Sequence, residues 1–283
     1  MTDPMPSPEL SRWILAQAQA GTDPREVTAA MQQQAWTEQA AIDAVERTMR
    51  DHLECHAREH GLPVPVKVPS PIELNGPSVL QAGDRDVQVL ASLLHPRVIV
   101  FGSILSVQEC DSLVELAREH LERSPVFDPD TGGDQRHEAR TSEGMFFKRG
   151  ENALCERIEA RIAALLGWPV ENGEGMQVLR YGPGAEYKPH HDYFDPDRPG
   201  ADVALGRGGQ RVASLVMYLN NPTRGGATTF PDAHFEVAPI KGNAAYFSYD
   251  RPHPMTASLH GGAPVLEGEK WVATKWLRER RHD

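Results

Sequence analysis

The sequence predicts an α+β fold in which helices back a β-sandwich or barrel, preceded by a small helical module. Three observations lead there. Helical periodicity fills residues 8–54 and recurs near 106–121 and 152–166, and short apolar runs with glycine and proline at the turns dominate after Gly167. A proline-dense stretch over 62–78 separates the first helices from the rest. With 283 residues, the chain is long enough for one sizeable domain and a small one.

Residues 8–54 read as three short helices. In the first, Leu10, Trp13, Ile14 and Ala18 share helical spacing, Gln17 interrupts the face and Gly21 supplies the stop. Asp23-Pro24-Arg25-Glu26 opens the second with an N-cap, a first-turn proline and an acid at N3, ahead of Val27, Ala30 and Met31. Thr37 caps the third, whose apolar positions are Ile42, Val45, Met49 and Leu53. In length and pattern the three resemble a ubiquitin-associated-type module. A protein partner for these helices and a helical extension of the main domain are both open readings.

At the end of this region His56-Ala57-Arg58-Glu59-His60 matches H-x-x-E-H, with His52 and Cys55 nearby. The helix stops at Gly61-Leu62-Pro63, however, and histidines that complement the dipole at a solvated helix end account for the same residues. The expected organisation is a helical module over 1–61, a linker or arm over 62–84, and the main domain over 85–283. The arm carries Pro63, Pro65, Pro69, Pro71 and Pro77.

In the main domain Val87–Leu90 and Val98–Phe101 read as strands. Ser106-Val107-Gln108-Glu109 is a capping box, opening a helix with Val107, Cys110, Val114, Ala117 and Leu121 on one side. A second helix over 152–166 aligns Leu154, Ile158, Ile162 and Leu165. Four strands follow Gly167: Met176–Tyr181, Val212–Leu219, Ala244–Ser248 and Trp271–Leu277. Two polar loops, Pro125–Ala139 and Asp195–Gly209, either close over a substrate or are surface insertions.

A net charge of −11 argues against a phosphate-tracking nucleic-acid surface. No apolar stretch approaches 18 residues, so no transmembrane helix and no membrane partner are expected. The start MTDPMPSPEL lacks the basic and apolar regions of a secretory signal, and Cys55, Cys110 and Cys155 form no CxxC pair. A cytoplasmic protein with reduced thiols is the expectation.

His190-His191-Asp192 and His260 carry the chemistry. Alternate residues of a strand share a face, so His190 and Asp192 point one way and His191 the other. With His260 they offer two imidazoles and a carboxylate to one side of a metal, the facial triad of non-haem Fe(II) oxygenases. H-x-D alone arises easily by chance among 12 histidines, so the setting matters. Tyr187–Phe194 places the first two ligands at a strand end before a loop, and Ser258–Gly262 is a second strand-to-turn transition. A short turn from His260 to Lys270 would put a cation one strand from the metal. An oxygenase that chelates 2-oxoglutarate on iron needs such a cation, because the distal carboxylate is buried. Arg278 and Arg280 compete for that role but lie in the charged tail Arg278–Asp283, where solvation is expected.

Several stretches together resemble the prolyl 4-hydroxylase family of 2-oxoglutarate/Fe(II) dioxygenases, in its plant and algal forms. They are Arg140-Thr141-Ser142-Glu143-Gly144-Met145-Phe146, Gln177-Val178-Leu179-Arg180-Tyr181 and YKPHHDYF. Gly208–Ala213, Met217–Asn220, Gly225-Gly226, Phe230-Pro231, Pro239–Ala244 and SLHGGAPVLEGEKWVATKW follow. The matches are collinear over roughly 96–278.

The resemblance implies a double-stranded β-helix (jelly-roll) core with Fe(II) on His190, Asp192 and His260. It implies Lys270 on the distal carboxylate of 2-oxoglutarate, with Tyr181 and Thr228 hydrogen-bonding the same cosubstrate. Tyr187, Arg211 and Trp276 match positions near the family's active site: the first two read as catalytic, and Trp276 as cosubstrate-binding. Packing or framework support is the alternative for each of the three. Arg140, beside a loop, is expected to help hold the peptide. Ala227 departs from the acid usual in that Gly-Gly-acid-Thr run, and the N-terminal helices have no counterpart in the plant-type core.

The implied reaction uses O2 and 2-oxoglutarate, releases succinate and CO2, and hydroxylates a prolyl residue of a protein or peptide, with ascorbate as reductant. A carboxylate at Asp192, where a halogenating relative carries Ala or Gly, favours hydroxylation. Hydroxylation of another residue or of a small molecule stays open. So does an oxygen- or iron-responsive interaction protein with slow catalysis.

Overall fold

A computed structural model describes residues 6–73, 76–123, 126–127, 134–135 and 141–282. The chain divides into two compact units, Met1–Pro65 and Val66–Asp283.

The first unit holds α1 (Pro8–Gln19), α2 (Pro24–Gln32) and α3 (Glu38–Glu59). Ser7, Asp23 and Thr37 each accept a first-turn N–H with their side chains, satisfying donors that the helix itself leaves open. Ile14, Val27, Met31, Ala41 and Ala44 form the core. The third helix is not short: it runs 22 residues, past Leu53 to Glu59. Its inner face is Ala41, Ala44 and Thr48 rather than the expected stripe, and Leu53 is 39% exposed. Two adjacent stripes satisfy the same period, and the small side chains of this one allow close helix approach. His52, His56 and His60 are exposed, and the metal-ligand cluster found among the described residues includes none of them.

The second unit starts with an extended arm. The Val66 N–H donates to the Asp250 carbonyl at 2.7 Å, and Tyr246 Oη donates to the Pro69 carbonyl at 2.6 Å. Strands β1 (Val79–Gln81), β2 (Asp86–Leu93) and β3 (Arg97–Gly102) lead to α4 (Val107–Arg118), which the predicted capping box opens. The buried face of α4 is Cys110, Leu113 and Ala117, while Val107 is exposed. Here too the periodicity left two neighbouring stripes possible.

Next come β4 (Glu122–Arg123), β5 (Val126–Phe127) paired with β6 (Asp134–Gln135), β7 (Glu143–Phe147) and α5 (Ala153–Leu166). Asn152 caps α5, and Gly167 ends it in the left-handed conformation at φ 58°. The remaining strands are β8 (Met176–Tyr181), β9 (Tyr187–His190), β10 (Arg211–Tyr218), β11 (Arg224–Gly225), β12 (Thr228–Phe230), β13 (Phe235–Val237), β14 (Ala244–Ser248), β15 (His260–Gly262), β16 (Val265–Glu267) and β17 (Lys270–Arg278). Helix α6 (Ala201–Gly206) sits in the Asp195–Gly209 loop.

A nine-stranded antiparallel sheet has the order β1-β2-β3-β14-β10-β17-β8-β7-β4, and a four-stranded sheet has the order β13-β12-β15-β9. Period-2 alternation gives the large sheet two apolar faces. Leu215 and Met217 of β10, with Trp271, Ala273 and Leu277 of β17, join the α4 and α5 residues in one core. Tyr218, Val272, Phe247 and Leu179 turn the other way, to meet Phe230 and Val237 of the small sheet. Helices cover one side of the large sheet and the small sheet covers the other, which is the double-stranded β-helix arrangement. The site lies between the sheets.

Candidate active site

His190, Asp192 and His260 converge, with one ligand atom of each within 4.8 Å of the others. His190 ends β9 and pairs with His260 of β15 across the small sheet. Strand β9 stops at His190, so Asp192 lies in the bend beyond it and not on the strand. Its carboxylate nevertheless turns to the same side: Oδ1 is 3.5 Å from His190 Nε2, and Oδ2 is 3.5 Å from His260 Nε2.

The backbone fixes both imidazoles. His190 Nδ1 lies 2.9 Å from the Lys188 carbonyl, and His260 Nδ1 lies 3.1 Å from the Ser258 carbonyl. A carbonyl only accepts, so each Nδ1 carries the proton and each Nε2 presents a lone pair. Burial pushes the His260 pKa down to about 4, so its Nε2 is unprotonated at neutral pH. Burial opposes ionisation of Asp192, but the His260 and His190 rings hold its carboxyl well below the usual range. Ser214 Oγ donates to Asp192 Oδ2 at 2.6 Å and lies 3.0 Å from Tyr249 Oη. His191 is not in that ligand cluster and stacks on Tyr193, with ring centres 4.6 Å apart; since β9 has already ended, strand alternation is not what places it.

A cavity of about 50 Å³ runs from the triad into the fold. Alternate residues of β17 line it: Lys270, Val272, Thr274 and Trp276. Lys270 is 4% exposed at the inner end, and no carboxylate pairs with it among the described residues. Its Nζ sits 5.6 Å from the Tyr181 ring centre and 5.8 Å from that of Tyr218, whose hydroxyl donates to Thr228 Oγ1 at 2.8 Å. Burial lowers the Lys270 pKa to about 8. The lysine is not one strand away from His260: it belongs to the facing sheet, opposite Tyr181, and reaches across toward Gly262.

Tyr187 stacks on His190 with ring centres 3.7 Å apart. Arg211 is engaged behind the pocket wall: it pairs with Glu174 at 2.7 and 2.8 Å, lies over the Trp276 ring at 4.1 Å and reaches the Asp192 carbonyl at 3.5 Å. Trp276 lines the cavity, and its buried Nε1 has no hydrogen-bond partner among the described residues. Arg278 corrects an expectation. It is 2% exposed, because Glu174 supplies a buried anion at 3.0 Å and the Ala204 carbonyl accepts a second bond. Arg280 is exposed, and Arg140 lies outside the described residues.

Ser214, Tyr249 and Glu174 were missed by sequence reasoning. Ser214 had a signal, since it is the lone polar residue within the apolar run Val212–Leu219. Nothing local marks Glu174.

The donor set suits Fe(II), as two neutral imidazoles and one carboxylate leave one side free. The buried, unpaired ammonium at the far end of the same cavity suits a dicarboxylate chelator. Sequence comparison agrees with that chemistry. Residues 176–278 match the family described as the 2OG-Fe(II) oxygenase superfamily. Prolyl 4-hydroxylase 2 of Arabidopsis thaliana is 41% identical over 207 residues, covering 64% of this chain and 67% of that protein. Prolyl 4-hydroxylase 1 of the same plant is 43% identical, covering 65% and 70%. Among solved structures, the viral collagen prolyl hydroxylase of Paramecium Bursaria Chlorella virus-1, in its 2-oxoglutarate complex, is 30% identical. It superposes with a TM-score of 0.50 over 64% of this chain and 95% of its own.

Proposed function

We propose, because this chain belongs to the prolyl 4-hydroxylase family of 2-oxoglutarate/Fe(II) oxygenases, that it hydroxylates prolyl residues in a protein or peptide. It consumes O2 and 2-oxoglutarate and releases succinate and CO2. The observation that carries the reading is a single cavity with the His190–Asp192–His260 ligand set at one end and an unpaired buried ammonium at the other.

His190, Asp192 and His260 would hold the iron, and Lys270, with Tyr181 and Thr228 beside it, the distal carboxylate of 2-oxoglutarate. Together the bound metal and cosubstrate supply the oxidising power for inserting one oxygen atom into a C–H bond. The chain's own part is orientation and dryness. His260 loses no proton on binding metal at neutral pH, because burial already keeps it neutral. Ser214 fixes one oxygen of Asp192, and the Glu174–Arg211 pair braces Trp276 from behind. Leu179, Val216 and Val272 line the pocket with apolar surface that excludes water.

Three finer readings accompany this one. The N-terminal helices bind a protein partner; peptide turnover unchanged by removal of residues 1–65 would show that they do not recognise the substrate. Ascorbate serves as reductant, so its omission shortens the life of the active enzyme, and an undiminished life refutes that role. The protein is cytoplasmic, in keeping with three free cysteines, and binds neither nucleic acid nor membrane. Fractionation that finds it elsewhere overturns the assignment. Among the described residues no helix is long and apolar enough to cross a membrane.

The direct test is succinate formation with proline-rich peptides. Peptide stimulates wild-type turnover, His190→Ala and Asp192→Ala abolish it, and His191→Ala retains it. Turnover of 2-oxoglutarate that no proline peptide stimulates refutes the prolyl assignment.

A further inference from the structure

A second cavity, of about 390 Å³, opens at the metal end of the large sheet. Ser248 of β14 pairs with both Arg97 of β3 and Ala213 of β10, and Ser214 next door bonds Asp192. Lys270 marks the opposite end. The two cavities share a partition. Tyr249 lines the second cavity, and its hydroxyl is 3.0 Å from Ser214 Oγ, itself 2.6 Å from the Asp192 carboxylate. One wall is the arm segment Val68–Ser70, and Leu94 and Met255, 72% and 45% exposed, also line the cavity. The size falls in the range of ligand sites, roughly 300–1,000 Å³.

Its charge is uneven. Arg251 is neutralised by Asp250 at 3.0 Å. Arg97 is not: its guanidinium gives one bond to the Ile72 carbonyl at 3.1 Å, and among the described residues no carboxylate pairs with it. A guanidinium that no carboxylate neutralises among the described residues, facing a cavity of this size, favours an anion there in spite of the chain's net charge of −11.

We propose that this cavity is a substrate subsite for an acidic side chain, aspartate or glutamate, flanking the residue presented to the metal, with Arg97 as its specificity determinant. The proposal rests on the reading that the site acts on a peptide. A polypeptide running out of the metal site meets this cavity one partition away, where Leu94 and Met255 offer apolar contact to its side chains and Arg97 a guanidinium to the carboxylate. The remaining N–H groups of Arg97 supply charge-assisted hydrogen bonds to that group.

Fluorescence anisotropy on the full chain tests this with dye-labelled proline-rich peptides. Each carries glutamate, glutamine or lysine at successive positions on either side of a central proline. At one flanking position glutamate should bind about tenfold more tightly than glutamine. Arg97→Glu should lose that preference and favour lysine at the same position by a similar factor, a gain that a misfolded variant cannot show. Wild-type binding indifferent to glutamate at every position overturns the proposal, as does a glutamate preference that survives Arg97→Glu. A preference seen only with a free peptide C-terminus, and abolished by amidation, overturns the side-chain assignment. Binding needs no turnover, so the two readings fail separately. Prolyl hydroxylation without acid preference removes only the subsite, and Arg97-dependent binding without prolyl hydroxylation removes only the reaction.

Discussion

Replacing Lys270 with methionine should move two observables in opposite directions. The substitution keeps most of the side-chain volume and deletes the ammonium, so it isolates charge from packing. In the free protein that ammonium is a burden, since it is 4% exposed and burial lowers its pKa from 10.5 to about 8. At about 1.4 kcal/mol per pH unit, the displacement corresponds to about 3 kcal/mol of lost folding stability. Because the folded pKa lies below the unfolded one, the cost is fully present below pH 8 and fades as the pH rises toward 10.5. Lys270→Met should therefore raise thermal stability at pH 7 and show no gain above pH 10.5. Cosubstrate binding should suffer. The distal carboxylate of 2-oxoglutarate is left buried without a cation, at about 3–5 kcal/mol, which weakens binding at least about 100-fold. Calorimetric titration with 2-oxoglutarate and thermal melts across pH measure both. An affinity loss below about fivefold would place the carboxylate elsewhere, and a stability loss at pH 7 would refute the burial argument.

Wild-type affinity for 2-oxoglutarate should be flat below pH 8 and fall about tenfold per pH unit above it, as Lys270 loses its proton; titration at pH 7 and 9 checks this. Ser214→Ala removes a 2.6 Å bond to Asp192 and should weaken metal binding about tenfold with the fold intact, read by titrating the metal-free protein. Glu109 is buried, which would raise its pKa, yet Arg161, the Ser106 N–H and Arg157 hold it at about 2. Its stabilisation is present above pH 4.5 and lost as the pH falls through 2. Glu109→Gln should thus cost about 3 kcal/mol at pH 7, and the gap from wild type should narrow toward pH 2 in chemical denaturation.

Local chemistry made much of this molecule readable in advance. The Ser106–Glu109 box lies in contiguous sequence and α4 begins on it, and the apolar spacing over 152–166 coincides with α5. Short segments rich in apolar and aromatic residues are strand signals, which is why Met176–Tyr181 and Ala244–Ser248 coincide with β8 and β14, although β8 also carries Gln177 and Arg180. Which helix stripe faces inward was not readable, because α3 and α4 each offer two. Long-range placement was the other blind spot. Lys270 was expected beside His260, but the chain carries it to the opposite sheet, where the same cation reaches the pocket from across the sandwich. Arg278 stood in a charged tail by sequence and is buried only because Glu174, more than a hundred residues earlier, meets it. The triad was legible less from H-x-D, which arises easily by chance, than from the collinear family segments around it and around His260, which lies on β15.

The central claim is that this cavity couples 2-oxoglutarate turnover to hydroxylation of a prolyl residue. Mass spectrometry of a proline-rich peptide, incubated with the iron-loaded enzyme under isotopically labelled O2, tests it most directly. The account predicts one heavy oxygen atom on a proline ring, formed in step with succinate and absent with Asp192→Ala. Labelled oxygen on another residue type, or succinate formed with every proline unmodified, would contradict it.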